Sequence, residues 1–323
     1  MTNPLPIDWQ ALHGKHFAGN RVLVTGGAGF IGSHLAEVLG QLGARILVLD
    51  DLSGGSADNL AGFSNVQFVQ RTILDQATVK RCIGGCRYVF HQAALGSVPR
   101  SVEQPRLYCD VNVTGTLNIL EAARDEHVQR VMFAASSSAY GDNPVPWIES
   151  LPPLPKSPYA ATKLADEGLL RAYANSYGLD TVSLRYFNIF GPRQDPSSPY
   201  SGVISIFTER ALARKPITVF GDGEQTRDFV YVQDLVSILV QAVETREPAP
   251  EAINVGLSRS TSLNDLIAEL GHATGAPLNV TYQAPRQGDI RHSRANNTRL
   301  LERFALPEPT SIGQGLAQLL RSL

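Results

Sequence analysis

Short, unbroken apolar runs alternate with longer stretches of helical period along most of this chain. Residues 21–25, 46–50, 66–69, 88–91, 131–135 and 181–185 form the apolar runs, and their length and Val, Ile and Phe content predict strands. Their apolarity is continuous, as in Arg45-Ile46-Leu47-Val48-Leu49-Asp50, which predicts strands buried on both faces. Strand and helix in alternation predict an α/β fold: a Rossmann-type doubly wound parallel sheet with helices on both faces. Beyond Asn188 the texture changes to Gly/Pro/Ser-rich connections at 191–202, 220–224 and 284–288, the mark of a smaller C-terminal α/β domain. The expected division is 18–188 plus 228–256 for the sheet domain and 189–227 plus 257–323 for the smaller one. No internal repeat occurs, and a short proline-rich piece, 151–158, ends at Ser157 and Pro158, which suit the N-cap and first position of a helix.

Composition narrows the classes without choosing among them. The 323 residues carry a net charge of -2 with 43% apolar and 18% charged side chains, so no electrostatic footprint for nucleic acid or for a membrane surface appears. Cys82, Cys86 and Cys109 have no zinc or redox spacing, so no metal is expected and a reduced compartment is. Residues 1–20 mix prolines, histidines and charges without the apolar run of a signal peptide, so the expected location is cytoplasmic.

The chemistry gathers at three places. The first is the turn Val24-Thr25-Gly26-Gly27-Ala28-Gly29-Phe30-Ile31-Gly32 after the first run. In such a fingerprint Gly26 makes the tight turn, Gly29 lets the backbone approach a pyrophosphate and Gly32 packs helix on strand, with the pyrophosphate on the helix N-terminus. Asp50 ends the second run, 24 residues after Gly26, where a carboxylate accepts the ribose hydroxyls of an adenosine; with Asp51 beside it, the corner repels a 2'-phosphate and favours NAD over NADP. The second place is Ser157-Pro158-Tyr159-Ala160-Ala161-Thr162-Lys163. Tyr159 and Lys163 lie four apart and share one helix face. A phenol of pKa about 10 needs roughly 4 kcal/mol to reach neutrality, and the Lys163 ammonium plus a positive nicotinamide ring in a partly desolvated cleft are the expected sources. The third is Ala135-Ser136-Ser137-Ser138-Ala139-Tyr140-Gly141 at the end of a strand. Singly, each has a plainer reading: a strand-to-helix turn, a loop carboxylate, an ordinary helical pair and a serine loop bonded to its own backbone. Their order in one chain gives them weight.

With glycine turn, serine triplet and tyrosine-lysine pair in this order, the chain resembles the extended short-chain dehydrogenase/reductase family, specifically its nucleotide-sugar 4-epimerases. It is closest in texture to the bacterial UDP-N-acetylhexosamine (UDP-GlcNAc/GlcNAcA) 4-epimerases, through residues 91–101 (HQAALGSVPRS), 184–188 (LRYFN) and 288–293 (GDIRHS). The resemblance runs from about Arg21 onward. It implies a catalytic set of Ser136, Tyr159 and Lys163. It implies an NAD surface of Gly26, Gly29, Phe30, Ile31, Gly32, Asp50, Asp51, Leu52, Ser53 and Gly55, continued by Thr72, Ile73, Gln92, Ala93, Ala94, Asn112 and Tyr186 together with the catalytic set. For the UDP-sugar it implies Ser97, Ser137, Ser138, Asn188, Val203, Arg227, Arg286, Asp289 and Ser293; guanidinium forks suit a diphosphate. It also implies a homodimer through a four-helix contact made by the catalytic helix and helix 105–124.

Departures from the family pattern sharpen the choice of reaction. Many relatives carry Gly-Asp-Ile where this chain has Arg71-Thr72-Ile73, so the adenine amine loses a carboxylate partner. Sugar dehydratases carry Thr-Asp-Glu in place of Ser136-Ser137-Ser138, and serine cannot protonate a leaving hydroxyl or remove a C5 proton at neutral pH. UDP-glucuronate decarboxylases commonly have glutamate at the Ser138 position. The resemblance therefore implies 4-epimerisation: Tyr159 takes the 4-hydroxyl proton as C4 passes hydride to NAD, and the transient 4-keto sugar is reduced from its other face. Ser293 stands where glucose/galactose-strict relatives have a bulky tyrosine, which implies room for an N-acetyl group. Alternatives are a UDP-glucose or UDP-uronic acid 4-epimerase, a UDP-glucuronate decarboxylase and a silent NAD-binding sensor on the same fold.

Overall fold

All six apolar runs become parallel strands of one sheet in the computed structural model, which describes residues 8–196, 202–244, 249–285, 290–306 and 308–323. In chain order the first half contains α1 (Trp9–His13), β1 (Arg21–Thr25), α2 (Phe30–Gln41), β2 (Arg45–Asp50), β3 (Val66–Gln70), α3 (Gln76–Ile83), β4 (Tyr88–His91), α4 (Val98–Glu103), α5 (Pro105–Tyr108), α6 (Gly115–Asp125), β5 (Arg130–Ser136), α7 (Pro158–Tyr177) and β6 (Thr181–Tyr186). There follow β7 (Asn188–Phe190), α8 (Val203–Leu212), β8 (Ile217–Phe220), β9 (Thr226–Arg227), β10 (Phe229–Tyr231), α9 (Val232–Glu244), β11 (Ala249–Val255), β12 (Thr261–Ser262), α10 (Leu263–Thr274), β13 (Val280–Gln283), α11 (Thr298–Arg303) and α12 (Ile312–Arg321). Among the described residues the main sheet has the order β11-β6-β5-β4-β1-β2-β3, a doubly wound Rossmann arrangement whose order reverses between β1 and β4.

The continuous apolarity of the strands has the expected cause. Val22, Val24, Ile46, Val48 and Phe90 point into a core closed by α2 and α9, while Leu23, Leu47, Leu49, Val89 and Phe133 point into a second one closed by α3, α6 and α7. A further, smaller core of Ile204, Phe207, Ile217, Val219, Leu266, Leu270 and Leu316 gathers α8, β8, α10 and α12. Helix α7 starts where the sequence places it: the Ser157 side chain accepts from Ala160 N, and Pro158 takes the first turn. It packs against α4, α5 and α6 of the same chain.

Helix 105–124, foreseen as one piece, is broken by a π-helical segment, Cys109–Thr114. The irregularity turns Asn112 inward, where its side chain accepts from Leu95 N at 2.8 Å and donates to Leu95 O at 3.2 Å and Thr162 Oγ1 at 3.0 Å. Such bulges re-aim side chains near functional sites, and this one ties the loop after β4 to α7. Among the described residues no helix is long and apolar enough to cross a membrane.

Asp228 fastens the smaller core to the sheet. Fully buried, its carboxylate accepts from Leu257 N at 2.9 Å, Ser258 N at 3.0 Å and Ala295 N at 3.0 Å. Burial nevertheless pushes its pKa up to about 6. A folded-state value raised above the ordinary carboxylate value of about 3.9 means that its contribution to stability is fullest below that value and is lost as pH rises through about 6. An Asp228→Asn variant turns one acceptor atom into a donor facing N–H groups, and should lower unfolding free energy by about 2–4 kcal/mol. A denaturant midpoint equal to that of the parent protein would contradict this account.

Candidate active site

The glycine turn follows β1 directly, and its geometry leaves no room for a side chain at Gly26 or Gly32. Gly26 has φ +66°, and a Cβ there would lie 2.6 Å from Ala93 N, because the strand-end loop of β4 crosses over the turn. Helix α2 opens at Phe30 with Gly29 as N-cap and no side chain bonded to its first N–H groups. A helix end left in this state is suited to an anion. Asp50 braces the turn: its carboxylate accepts from Ala28 N at 3.0 Å and Leu52 N at 2.8 Å. Burial raises its pKa despite these donors. Each carboxylate oxygen retains further acceptor capacity beyond these bonds.

A cleft of about 370 Å³ runs along this edge of the sheet, within the roughly 300–1,000 Å³ of small-molecule sites. Gly26, Gly29, Phe30, Ile31 and Gly32 line one end, with Asp50, Asp51, Ser53, Gly55 and Ile73 beyond them. Gln92, Ala93, Ala94, Ser136, Tyr159, Lys163 and Tyr186 line the other. The structure thus brings together segments about 130 residues apart in sequence. Leu52, Thr72 and Asn112 are not in the cleft wall: Leu52 N and Asn112 serve the bonds above, and Thr72 Oγ1 accepts from Leu74 N at 3.3 Å. Arg71 and Gln194, which the sequence reading passed over, do line it. No local motif marks Gln194, which follows a turn far from the glycines in sequence; Arg71 was visible only as a departure from the family string.

Tyr159 sits beside Ser136, whose hydroxyl draws its pKa down, but burial is the larger effect and holds the phenol above its ordinary value, with the Asp166 charge adding to the rise. This differs from the lowering foreseen in the sequence, because the protein alone supplies desolvation but not the positive ring. Ser136 is itself held, accepting from Ser138 Oγ at 2.9 Å and from Ser138 N at 3.2 Å. The Lys163 ammonium lies over the Phe133 ring at 4.6 Å, and burial lowers its pKa.

The residues foreseen for substrate are more dispersed. Asn188 Nδ2 donates to Ser293 Oγ at 3.3 Å, so these two meet, and Ser293 is buried. The Arg227 guanidinium donates to Thr226 O at 2.9 Å. Val203 begins α8 behind its N-cap Gly202. Ser137 and Ser138 start the short turn after β5. Ser97 is spent as the N-cap of α4, accepting from Arg100 N at 3.4 Å. None of these lines the cleft described above. Arg286 and Asp289 lie outside the described residues.

The cleft fits a dinucleotide on its own terms: a glycine cradle that any Cβ would fill, and two buried amide atoms, Gln92 Nε2 and Gln194 Oε1, with no partner in its wall. The sequence model of the NAD dependent epimerase/dehydratase family matches residues 22–256, and the chain belongs to that family. Within it the chain is an NAD-dependent nucleotide-sugar 4-epimerase. It is 41% identical over 307 residues to the UDP-glucose 4-epimerase of Mycolicibacterium smegmatis, covering 92% of this chain and 96% of that one. Its fold superposes with TM-score 0.90 on the UDP-N-acetylglucosamine 4-epimerase of Methanobrevibacter ruminantium in complex with UDP-N-acetylmuramic acid, at 37% identity over 94% of this chain and 98% of the other. The UDP-glucose 4-epimerase of Thermus thermophilus in complex with NAD superposes with TM-score 0.86 at 38% identity, again over 94% and 98%.

Proposed function

We propose that this enzyme interconverts UDP-hexoses at C4 and accepts N-acetylated sugars, with Ser136, Tyr159 and Lys163 as its catalytic set. The carrying observation is their convergence with the glycine turn in one cleft. NAD, when bound, supplies a reversible acceptor for the C4 hydride. The Tyr159 oxygen takes the proton of the sugar 4-hydroxyl and later returns it. Ser136, fixed by Ser138, orients that hydroxyl, and Lys163 keeps positive charge at the phenolate. Gly26, Gly29 and Gly32 with the α2 N-terminus take the pyrophosphate; Asp50 and Asp51 take the adenosine ribose. Asn188, Val203, Arg227, Arg286 and Asp289 anchor the UDP, so that binding energy on the non-reacting nucleotide retains the intermediate. The two-domain division given by the sequence follows the same partition, with 189–227 and 257–323 on the sugar side. Exposed Val98, Val102 and Leu107 on α4 and α5, beside α7, provide an apolar face for a second copy.

Acceptance of the acetyl group rests on the small side chain at 293. The similarity to the Methanobrevibacter enzyme supports this reading. The test is nucleotide-sugar NMR of the purified protein with added NAD, offering UDP-GlcNAc, UDP-glucose and UDP-glucuronate separately. The matching galacto epimer of UDP-GlcNAc is expected; conversion of none of the three with NAD bound would overturn the reading. In a Ser293→Tyr variant, turnover of UDP-GlcNAc should fall by about tenfold or more relative to UDP-glucose, because a filled pocket discriminates by a few carbon atoms' worth of space. Equal loss on both sugars would remove the pocket argument.

A further inference from the structure

The connection from the serine turn to α7, residues 141–157, is long and contains no helix or strand of its own. Connections of that length in a packed fold usually have work to do. Near its middle stands Trp147, a fully buried side chain that none of the chemistry above uses. Its indole N–H donates to Asn143 O at 2.8 Å, and the Asn143 amide donates to Tyr140 O and Pro152 O, both at 2.8 Å. The loop is thus drawn in around the ring.

Three contacts of Trp147 each end beside a residue of the proposed site. Its ring stacks on Tyr140, with centroids 5.1 Å apart and planes at 26°, and Tyr140 closes the turn in which Ser138 holds Ser136. Its ring also meets Phe187 at 5.9 Å; Phe187 lines the cleft and directly precedes Asn188. Its backbone bridges Ala295: Trp147 N donates to Arg294 O at 2.8 Å, and Trp147 O accepts from Asn296 N at 2.8 Å. Arg294 follows Ser293, and Ser293 accepts from Asn188 at 3.3 Å, so the second and third contacts converge on one pair.

The stack is fixed from behind. The Arg185 guanidinium lies over the Tyr140 ring at 4.8 Å and holds both oxygens of Glu167, at 2.9 and 2.7 Å, on α7 one turn beyond Lys163. A planar fork stacked on a ring leaves little freedom to either. Asn254 of β11 completes the frame: its Oδ1 accepts from the Tyr140 hydroxyl at 2.7 Å, and its Nδ2 donates to Trp147 O at 2.9 Å and Asn296 O at 3.2 Å. A buried network with its groups satisfied in this way specifies one arrangement.

We propose that Trp147 is a positioning residue: through Phe187 and the 294–296 backbone it seats Asn188 and Ser293, and through Tyr140 it sets them at a fixed separation from Ser136. The proposal rests on the assignment of Asn188 and Ser293 to the UDP-sugar and of Ser136 to the catalytic set. Trp147 does not itself line the cleft, so replacing it leaves the lining side chains in place and acts through where they stand. A misplacement of about 1 Å suffices to slow a positioned reaction by roughly 10²-fold.

The test uses the full-length protein loaded with NAD. Trp147→Leu and Trp147→Met remove the ring but keep an apolar side chain, Trp147→Phe keeps a ring, and Ile83→Ala, in the core closed by α3, lowers stability away from the stack. The quantities read are the melting temperature with and without NAD, the Kd of UDP by calorimetry, and kcat/KM for UDP-glucose. Trp147→Leu and Trp147→Met should weaken UDP about tenfold and lower kcat/KM further still, by roughly 10²-fold, because the separation from Ser136 is felt only in the reacting complex. Both should keep the NAD-induced rise in melting temperature, Trp147→Phe should recover most of the lost affinity, and Ile83→Ala should bind UDP as the parent does. Parental UDP affinity in Trp147→Leu or Trp147→Met overturns the proposal, as does equal weakening in Ile83→Ala, loss of the NAD response together with UDP, a Trp147→Phe protein no better than Trp147→Leu, or failure of both ringless variants to fold. A fall in kcat/KM no larger than the loss of UDP affinity overturns the link to Ser136. If the parent protein binds UDP and epimerises no sugar, the function proposed above fails, while UDP affinity still decides the role of Trp147.

Discussion

Tyr159→Phe is expected to reduce 4-epimerase turnover by roughly 10²- to 10⁴-fold, the ordinary worth of a positioned proton-transfer group, while leaving NAD binding and folding nearly intact. Phenylalanine fills the same space in the cleft wall and removes only the oxygen. That oxygen is the group in the cleft suited to take a proton from a sugar hydroxyl: Ser136 is engaged with Ser138, and the Lys163 ammonium has no proton-accepting capacity while charged. The phenol lies above its ordinary pKa in the protein alone because burial dominates. Turnover should therefore rise with pH until the bound cofactor's positive ring and Lys163 have brought the phenol into its deprotonated form. The measurement is the rate at which UDP-GlcNAc or UDP-glucose approaches its equilibrium with the galacto epimer, alongside the NAD content of the purified variant. Undiminished turnover with NAD bound would remove Tyr159 from the mechanism.

What could be read from the sequence, and what could not, divides along a physical line. Residues whose role is backbone geometry or strand burial announce themselves locally. Glycines at 26, 29 and 32 mark a tight strand-to-helix turn by their spacing, and six strands were legible because burial on both faces demands unbroken apolarity. β11 was not among the apolar runs, since Ala249 to Val255 includes proline, glutamate and asparagine; only its pairing with β6 makes it a strand. The break of helix 105–124 at its π-helical segment has no periodic signature either, because it serves a contact between Asn112 and Thr162 that are 50 residues apart. Charge was the least legible property. The sequence foresaw a phenol lowered by Lys163 and a bound nicotinamide ring together; in the protein alone desolvation, a property of the folded surroundings, holds the phenol above its ordinary value. Asp166, a charged residue on α7 that no motif singles out, is fully buried. Ser97, a substrate residue by the family resemblance, caps α4 in the fold, a use its local sequence does not announce.

Gly32→Ala is expected to lose stable NAD binding and about 2–4 kcal/mol of folding free energy together, the upper part of the range for an overpacked site. The added methyl would stand 2.1 Å from Gly26 O and 2.7 Å from Gly27 Cα. Both are backbone atoms, with no flexible side chain to swing aside, so the turn itself must open or α2 must retreat from β1. Gly26 N, which donates to Leu49 O at 2.9 Å, and Asp50, which braces Ala28 N, both resist that movement. Gly29→Ala separates the two losses. Its Cβ would meet only Gly26 O, at 3.2 Å, and Gly29 already has a negative φ of -79° as N-cap. The fold should therefore tolerate alanine there within about 1 kcal/mol, while the methyl intrudes where a pyrophosphate approaches the helix end. Thermal denaturation with and without added NAD distinguishes the pair. A ligand that binds only the folded state raises the melting temperature in proportion to its saturation, so the parent protein shifts upward with NAD. Gly29→Ala should start near the parent temperature and lose most of the shift, and Gly32→Ala should start lower and lose it as well. A Gly32→Ala protein with the parent's melting temperature and NAD response would mean that the close contact of α2 with the turn is not what holds this end of the cleft.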